Sequence, residues 1–142
     1  MIATKLVDKA EASGVDQAEV ISFPSGVLGF EDLRRFVLVG SQQDHPCMCL
    51  QSVDDPWVGF TVIDPFLFFS DYSFKLGEAD RVALGIREGE PFVTLTIVVV
   101  PEDPMEMTVN LLAPVIINPR TGLGRQVILQ GYPYSVRHRL FG

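Results

Sequence analysis

The side chains best suited to chemistry stand close together in "DHPCMCL", residues 44–50. Asp44, His45, Cys47 and Cys49 are all residue types that bind transition metals. A structural zinc site normally draws four ligands from paired clusters, and the chain has only one further histidine, His138. The spacing is therefore a weak indication of a metal site, and we expect no bound metal.

A thiol could also act as a nucleophile, with His45 or His138 as its base, because such pairs meet in space rather than in sequence. Cys47 and Cys49 fall inside an apolar, strand-like run, where cysteines usually pack as small hydrophobic residues. Residues two apart on a strand share a face but diverge, which disfavours a disulfide between them. We interpret both as reduced, packed thiols, and we expect neither a catalytic residue nor a cofactor.

A glycine-rich loop, "NPRTGLGRQ" at residues 118–126, invites comparison with phosphate-binding loops. A P-loop requires Gly-Lys-Ser/Thr, and a dinucleotide fingerprint requires a third glycine and a following helix. Here Arg125 and Gln126 follow Gly124, and the flanking runs "APVIIN" and "GRQVIL" have the composition of strands. We predict the turn of a β-hairpin, with Pro114 marking a strand start, a bulge or an edge.

The charge of the chain is unevenly distributed. The formal net charge is −7; residues 41–110 hold twelve acids and three bases, a balance of −9, and no acid follows Glu106. An acidic chain repels nucleic acid, whose binding depends on neutralised phosphates, whereas it attracts basic proteins. Direct RNA binding would depend on one basic set: Arg120, Arg125, Arg137, His138 and Arg139.

Aromatic residues are concentrated in "GFTVIDPFLFFSDYSF", residues 59–74. Most of these rings must be core, because each buries a large apolar area. The run from Phe66 to Phe69 is too continuous for all four side chains to face one way on a strand. Either a bend or an exposed apolar patch follows, and an exposed patch would mark a partner site.

The elements that position these residues are mostly strands. Short runs rich in Val, Ile, Phe and Thr recur between turn-forming groups, which favours an antiparallel barrel or sandwich. Helical pattern is confined to residues 30–35, one or two turns, and to a short helix at 78–84. Gly26 and Gly29 indicate a bent loop with positive φ angles. Besides the two runs flanking the glycine-rich loop, the predicted strands are "EVISFP", "RFVLVG", "CMCLQS", "WVGFTVI", "PFVTLTIVVV" and "MTVNL".

The length of 142 residues predicts a single domain spanning residues 1–142. No apolar run approaches the roughly 18–20 residues that a membrane-spanning helix needs. The first twenty residues contain no continuous apolar stretch that could serve as a secretion signal. We therefore expect a cytoplasmic protein, with a monomer as the default oligomeric state.

Five stretches of the chain, spread from about Val20 to the C-terminus, resemble the FliW family of flagellar assembly factors. They are "ISFPSGVLGFED", "FVLV", "LQSVDDPWVGFTVIDPFLFF", "MTVNLLAPVIINPRTGLGRQVIL" and "YSVRHRLF". The most specific element is "NLLAPVIIN" followed by "RQVIL", and "GVLGFE" is the next. In "CMCLQS" the cysteines stand where the family would have larger apolar residues.

The resemblance implies a small, open β-barrel that regulates by binding and has no enzymatic activity. Members of the family bind newly made flagellin in the cytoplasm, near its C-terminal helical segment. They also bind CsrA, a small basic RNA-binding dimer that represses flagellin translation, so that secretion of flagellin frees the factor to antagonise the repressor. An alternative from another class is a barrel that binds a small molecule in its interior.

Two sets of residues are candidates for these contacts. An apolar groove suits an amphipathic helix, and an acidic surface suits a basic repressor. The motif residues Asn110, Pro114, Asn118 and Gln126 are interpreted as shaping the hairpin. The aromatic candidates, for flagellin, are Phe66, Phe68, Phe69 and Tyr72. The acidic candidates, for CsrA, are Asp54, Asp55, Asp71, Glu102 and Asp103.

Overall fold

The computed structural model describes residues 19–40 and 46–141, and it confirms the predicted all-β, barrel-like fold. Within these two ranges, one α-helix, α1 (Glu78–Leu84), and two 3-10 turns, Pro65–Leu67 and Pro104–Glu106, accompany the strands. The strands are β1 (Ile21–Ser22), β2 (Arg35–Val39), β3 (Cys47–Ser52), β4 (Gly59–Ile63), β5 (Val93–Val99), β6 (Thr108–Val109), β7 (Val115–Asn118), β8 (Leu123–Gln126) and β9 (His138–Arg139).

Seven of these strands form a closed ring of pairings. The order is β4-β3-β2-β1-β8-β7-β5, and β5 pairs with β4 to close it. The closing pairs are Val62 with Ile97 and Ile63 with Thr96, whereas the expectation drawn from the resemblance was an open barrel. Pairings are antiparallel except between β1 and β8, where Ser22 lies beside Leu123 in parallel.

Alternation along the strands separates two hydrophobic cores. Val62 faces the barrel interior, while the next residue, Ile63, faces outward into a second core. Such alternation follows from the two-residue period of a strand. The interior is filled by the side chains of Ile21, Phe23, Val27, Phe36, Met48, Leu50, Val62, Leu95, Val115 and Ile117.

The second core lies between the outer face of the barrel and the segments that cross it. Tyr72 and Leu84 contribute to it from the connection between β4 and β5, and Leu129 from the chain after β8. Two tyrosine hydroxyls fasten these segments together. The Tyr134 hydroxyl accepts from the Ser73 amide at 3.1 Å and donates to the Ser73 carbonyl at 2.7 Å, and the Tyr132 hydroxyl accepts from the Lys75 amide at 2.9 Å. These segments therefore cover the outward-facing apolar side chains of β4, β5 and β7, Ile63, Val98 and Ile116.

A small side sheet extends from β5. Its strand β6 pairs with β5 on one edge and with β9 on the other, so that Val99, Thr108 and Arg139 stand side by side. Strand β9 was not predicted, because "HR" has neither strand composition nor alternation.

The local predictions were confirmed in most places. Helix α1 ends at Leu84 and is capped by Gly85, which adopts a φ of 67°. The hairpin turn is closed by the Gly122 amide, which donates to the Asn118 carbonyl at 2.8 Å. Pro114 directly precedes β7 and so marks a strand start. Residues 30–34 contain a turn at Glu31–Asp32 rather than a helix, and β2 begins at Arg35. Within the described residues, no helix is long and apolar enough to cross a bilayer.

Candidate partner-binding surfaces

The aromatic run begins with a tight turn that pushes two side chains outward. The Asp64 carboxylate accepts a hydrogen bond from the Phe66 amide at 2.9 Å, and Pro65 opens the 3-10 turn. Proline in the first turn and an acidic cap are both typical of such starts. As a result Phe66 is 47% exposed and Leu67 is 61% exposed. The run from Phe66 to Phe69 predicted either a bend or exposed apolar residues, and the structure has both.

The other aromatic candidates lie deeper. Phe68 and Phe69 are partly buried against the second core, and the ring of Phe69 meets His138 edge-on at 5.0 Å. Tyr72 is 3% exposed, and its hydroxyl donates to the Leu111 carbonyl at 2.7 Å. The assignment of Tyr72 as a direct partner contact therefore needs correction, because its ring supports its neighbours and has almost no surface of its own.

A chain of ring contacts leads from the exposed turn into a groove. Phe66 packs on Tyr72 at 5.7 Å between ring centroids, Tyr72 on Phe74 at 5.6 Å, and Phe74 on Phe92 at 6.5 Å. Phe92 forms part of the groove wall, and the groove has a volume of about 740 Å³. Phe66 and the groove are thus the two ends of one aromatic track, defined as Phe66, Tyr72, Phe74 and Phe92.

The groove combines an apolar floor with a charge-balanced rim. Leu76, Ile86 and Phe92 supply the apolar part. On the rim Arg81 pairs with Glu78 at 2.7 Å. Glu90 accepts from the Arg120 side chain at 2.6 Å, and this bond lowers the pKa of the Glu90 carboxyl from its ordinary value. An occupant of the groove would therefore be held mainly by apolar contact.

Four of the five acidic candidates lie at one end of the barrel. The Val53 amide donates a hydrogen bond to the Arg35 backbone carbonyl, which sets the β3–β4 turn beside the start of β2. Strands β4 and β5 are antiparallel, so the last residue of β5, Val99, lies toward the end of the barrel at which β4 begins with Gly59. The connections 23–34, 53–58 and 100–107 therefore share this end, which we call the acidic end, whereas Asp71 belongs to the aromatic run.

Several of these carboxylates also have structural partners. Asp54 accepts from the Arg35 guanidinium at 2.7 and 2.9 Å. That bond, assisted by the backbone amides of Arg34 and Arg35, lowers the pKa of Asp54 from its ordinary value. The Asp55 carboxylate accepts a hydrogen bond from the Trp57 amide, and the Asp103 carboxylate accepts one from the Met105 amide. Glu102 is exposed.

Sequence reasoning missed the apolar residues beside these acids. Trp57 is 83% exposed, and Val99, Val100 and Met105 are each more than half exposed. Trp57 was assigned to a strand with "WVGFTVI", but β4 begins only at Gly59. The available signal was "VDDP", because Asp and Pro favour a turn and Trp57 follows this group directly. Leu67 lies within the Phe66–Phe69 run for which an exposed patch was one of two expected outcomes, but it was not among the aromatic candidates for flagellin.

The thiols occupy an unreactive setting. Cys47 packs against the second core, and burial raises the pKa of both Cys47 and Cys49. A raised pKa reduces the thiolate fraction and hence the nucleophilicity. Asp44 and His45, the other members of the proposed metal set, lie outside the described residues. Within residues 19–40 and 46–141, no three His, Cys, Asp or Glu side chains gather as a metal site would require.

The hairpin and the barrel interior have structural explanations. Asn118 is fully buried, and its amide donates to the Leu84 carbonyl at 2.9 Å; the Gln126 amide donates to Ala113 at 3.1 Å. The two hairpin arginines pair with acids, Arg120 with Glu90 and Arg125 with Asp80. Because both arginines are already paired with carboxylates, they are less available to neutralise phosphates, which weakens the RNA-binding alternative. The filled interior likewise weakens the small-molecule alternative.

Comparison with known proteins gives one consistent result. The family model for the FliW protein matches residues 5–140. The chain is 42% identical over 128 residues to the flagellar assembly factor FliW of Natranaerobius thermophilus, covering 89% of this chain and 85% of that one. It is 45% identical over 123 residues to the corresponding factor of Symbiobacterium thermophilum, covering 86% and 89%. A crystal structure of the flagellar assembly factor FliW superposes with a TM-score of 0.81 at 35% identity, covering 87% of this chain and 86% of that chain.

Proposed function

Because this chain belongs to the FliW family of flagellar assembly factors, we propose that it serves flagellum assembly by binding rather than catalysis. Its two partners are flagellin, held in the cytoplasm through its C-terminal helical segment, and the translational repressor CsrA. Binding of flagellin prevents premature polymerisation, and binding of CsrA relieves repression of flagellin translation. Exchange between the partners couples secretion to synthesis.

The observation that carries the flagellin contact is the exposed Phe66–Leu67 turn joined to the groove by the aromatic track. The three distances between successive ring centroids sum to about 18 Å, so Phe66 and Phe92 lie no farther apart than that. This is the length of roughly twelve residues of α-helix. An amphipathic helix places apolar anchors every three or four residues along such a length. Phe66 and Leu67 would take one anchor and the groove floor another, with Phe68 and Phe69 supporting the turn from behind.

The acidic end supports the contact with CsrA. It gathers Asp54, Asp55, Glu102 and Asp103, whereas the aromatic track lies on the layer that covers the outer barrel face. A basic partner is steered to such a surface by long-range attraction. The two partners thus have separate candidate surfaces, and Asp71 beside Tyr72 falls on the flagellin side.

Calorimetric titration of the full chain with the C-terminal segment of its host's flagellin tests this proposal. We expect saturable binding near one to one, weakened when CsrA is already bound. The double variant Phe66→Ala/Leu67→Ala should weaken flagellin binding by at least about tenfold, as expected for central apolar anchors. Ile128→Ala is a matched control, because Ile128 is 54% exposed but lies outside the aromatic track.

Two results would contradict the proposal. Absence of binding to both partners would mean that this chain has lost or changed the proposed activity. Flagellin binding that the double variant leaves intact, with the variant folded by circular dichroism, would move the flagellin contact away from the aromatic track.

A further inference from the structure

Three exposed apolar side chains, which we call the patch, belong to the connections at the acidic end of the barrel. Trp57, Val100 and Met105 are 83%, 54% and 59% exposed. Trp57 is the only tryptophan of the chain. An indole exposed to this extent contributes little to folding, since stabilisation scales with the apolar area removed from water. Tryptophan on a protein surface is characteristic of binding anchors.

The turn that presents Trp57 is held rigidly. The fully buried Gln51 side chain donates to the Pro56 carbonyl at 3.2 Å and to the Val58 carbonyl at 2.9 Å. The Asp55 carboxylate accepts from the Trp57 amide at 3.0 Å. The Ser52 hydroxyl accepts from the amides of Asp54 and Asp55 at 3.1 and 2.9 Å. A preorganised turn reduces the entropy lost when its side chain is immobilised by a partner.

The charges around the patch indicate the nature of its occupant. The connections 23–34, 53–58 and 100–107 contain seven acids and a single base, Arg34. Nearby Arg35 is engaged by Asp54, and the Arg139 side chain donates to the Met105 carbonyl at 3.2 Å. The surface therefore has an apolar centre and an acidic rim. The acids are Glu31, Asp32, Asp54, Asp55, Glu102, Asp103 and Glu106.

We propose that this patch is the docking surface for the basic partner, and that Trp57 is its central anchor. An arginine or lysine of the partner lies over the indole, its aliphatic stem contacts Val100 and Met105, and its charged end faces the acidic rim. Such cations are attracted to the face of an indole within about 6 Å. The inference rests on the proposed function, because it assigns the repressor to this surface and names the anchor.

The single tryptophan makes the test direct. The full chain would be titrated with purified CsrA of its host while Trp57 emission and acrylamide quenching are recorded, with the partner's own emission subtracted. Calorimetry of the same mixtures reports binding independently of Trp57. We expect a blue shift and a quenching constant several-fold lower with CsrA, and no change with the flagellin segment.

Variants sharpen the test. Trp57→Ala should weaken CsrA binding by at least about tenfold and leave flagellin binding and the melting temperature unchanged. Trp57→Phe should retain part of the affinity, because a phenyl ring still attracts cations. Val82→Ala is the matched control, since Val82 is 63% exposed on helix α1 and should have no effect.

The outcomes separate this inference from the proposed function. CsrA binding by calorimetry with Trp57 still fully quenchable would overturn the inference alone. No CsrA binding at all would overturn both the inference and the CsrA part of the proposed function. Shielding of Trp57 that increases with protein concentration, without any partner, would assign the patch to a second copy of the chain and overturn the inference.

Discussion

At the scale of single residues, Tyr72 joins the aromatic track to the second core. Its ring touches Phe66, Phe74 and Tyr134, and its hydroxyl satisfies the Leu111 carbonyl. Burial, with a smaller contribution from Tyr134, raises the pKa of Tyr72 from its ordinary value of 10.0. The residue is thus a structural support for the surface at which flagellin is proposed to dock.

Replacing this hydroxyl should cost stability. Tyr72→Phe leaves the Leu111 carbonyl without its partner in a buried site, which should lower the free energy of unfolding by about 1–3 kcal/mol. Tyr132→Phe is the control. The Tyr132 hydroxyl accepts a hydrogen bond from the Lys75 amide at 2.9 Å at an exposed position, where water can replace the hydroxyl. Urea unfolding of both variants measures the difference, and equal losses would contradict this account of Tyr72.

The same residue predicts a pH dependence. Below the pKa that Tyr72 has in the unfolded chain, the hydroxyl is protonated in both the folded and the unfolded state, so it causes no change of stability with pH. Above that value the unfolded chain loses the proton while the folded chain retains it, so stability falls as the pH rises beyond about 10. Tyr72→Phe should therefore show a shallower alkaline decline than the parent chain. An unchanged decline would place the responsible group elsewhere.

At the scale of elements, the β1–β2 connection shows how backbone geometry shapes the acidic end. Gly26 and Gly29 both adopt positive φ, 66° and 87°, as the sequence predicted. They differ in surroundings. A Cβ on Gly26 would lie 2.5 Å from the Glu31 Cα, whereas one on Gly29 would meet nothing within 4 Å.

This difference gives a matched pair of variants. Gly29→Ala should cost only the strain of a left-handed alanine, about 1–2 kcal/mol. Gly26→Ala should cost clearly more, because the backbone at Glu31 must move as well. Thermal unfolding compares them. If both variants were destabilised equally, the 26–31 turn would be able to relax without cost, contrary to this interpretation.

At the scale of the whole molecule, charge and apolar surface are distributed so that the two proposed partners respond differently to salt. The chain carries −7, and its acidic end holds seven acids against one base. The aromatic track and groove are apolar with paired rim charges. Electrostatic steering of a basic protein weakens when ions screen the field, while apolar docking does not.

The association rate with CsrA should therefore fall by about tenfold or more between roughly 0.05 and 0.5 M salt. The rate with the flagellin segment should change by less than about threefold over the same range. Stopped-flow measurements with each partner provide the comparison. A similar salt dependence for both would argue against separate acidic and apolar surfaces.

Features that depend on neighbouring residues could be predicted from the amino-acid sequence. The two-residue alternation of the strands, the turn at Asn118–Gly122, the start of β7 after Pro114 and the helix at 78–84 all follow from local backbone chemistry. Family resemblance supplied the expected function, and the unreactive character of the thiols followed from their apolar strand.

Long-range packing, by contrast, sets which faces are covered and which residues meet. Alternation separates Val62 from Ile63 but does not say that a second layer buries the outer face and Tyr72 with it. Ring closure, the pairing of β9 and the gathering of three acidic connections join residues far apart in the chain. Burial depends on such long-range packing and not on residue type alone, which is why the apolar Trp57 lies at the surface.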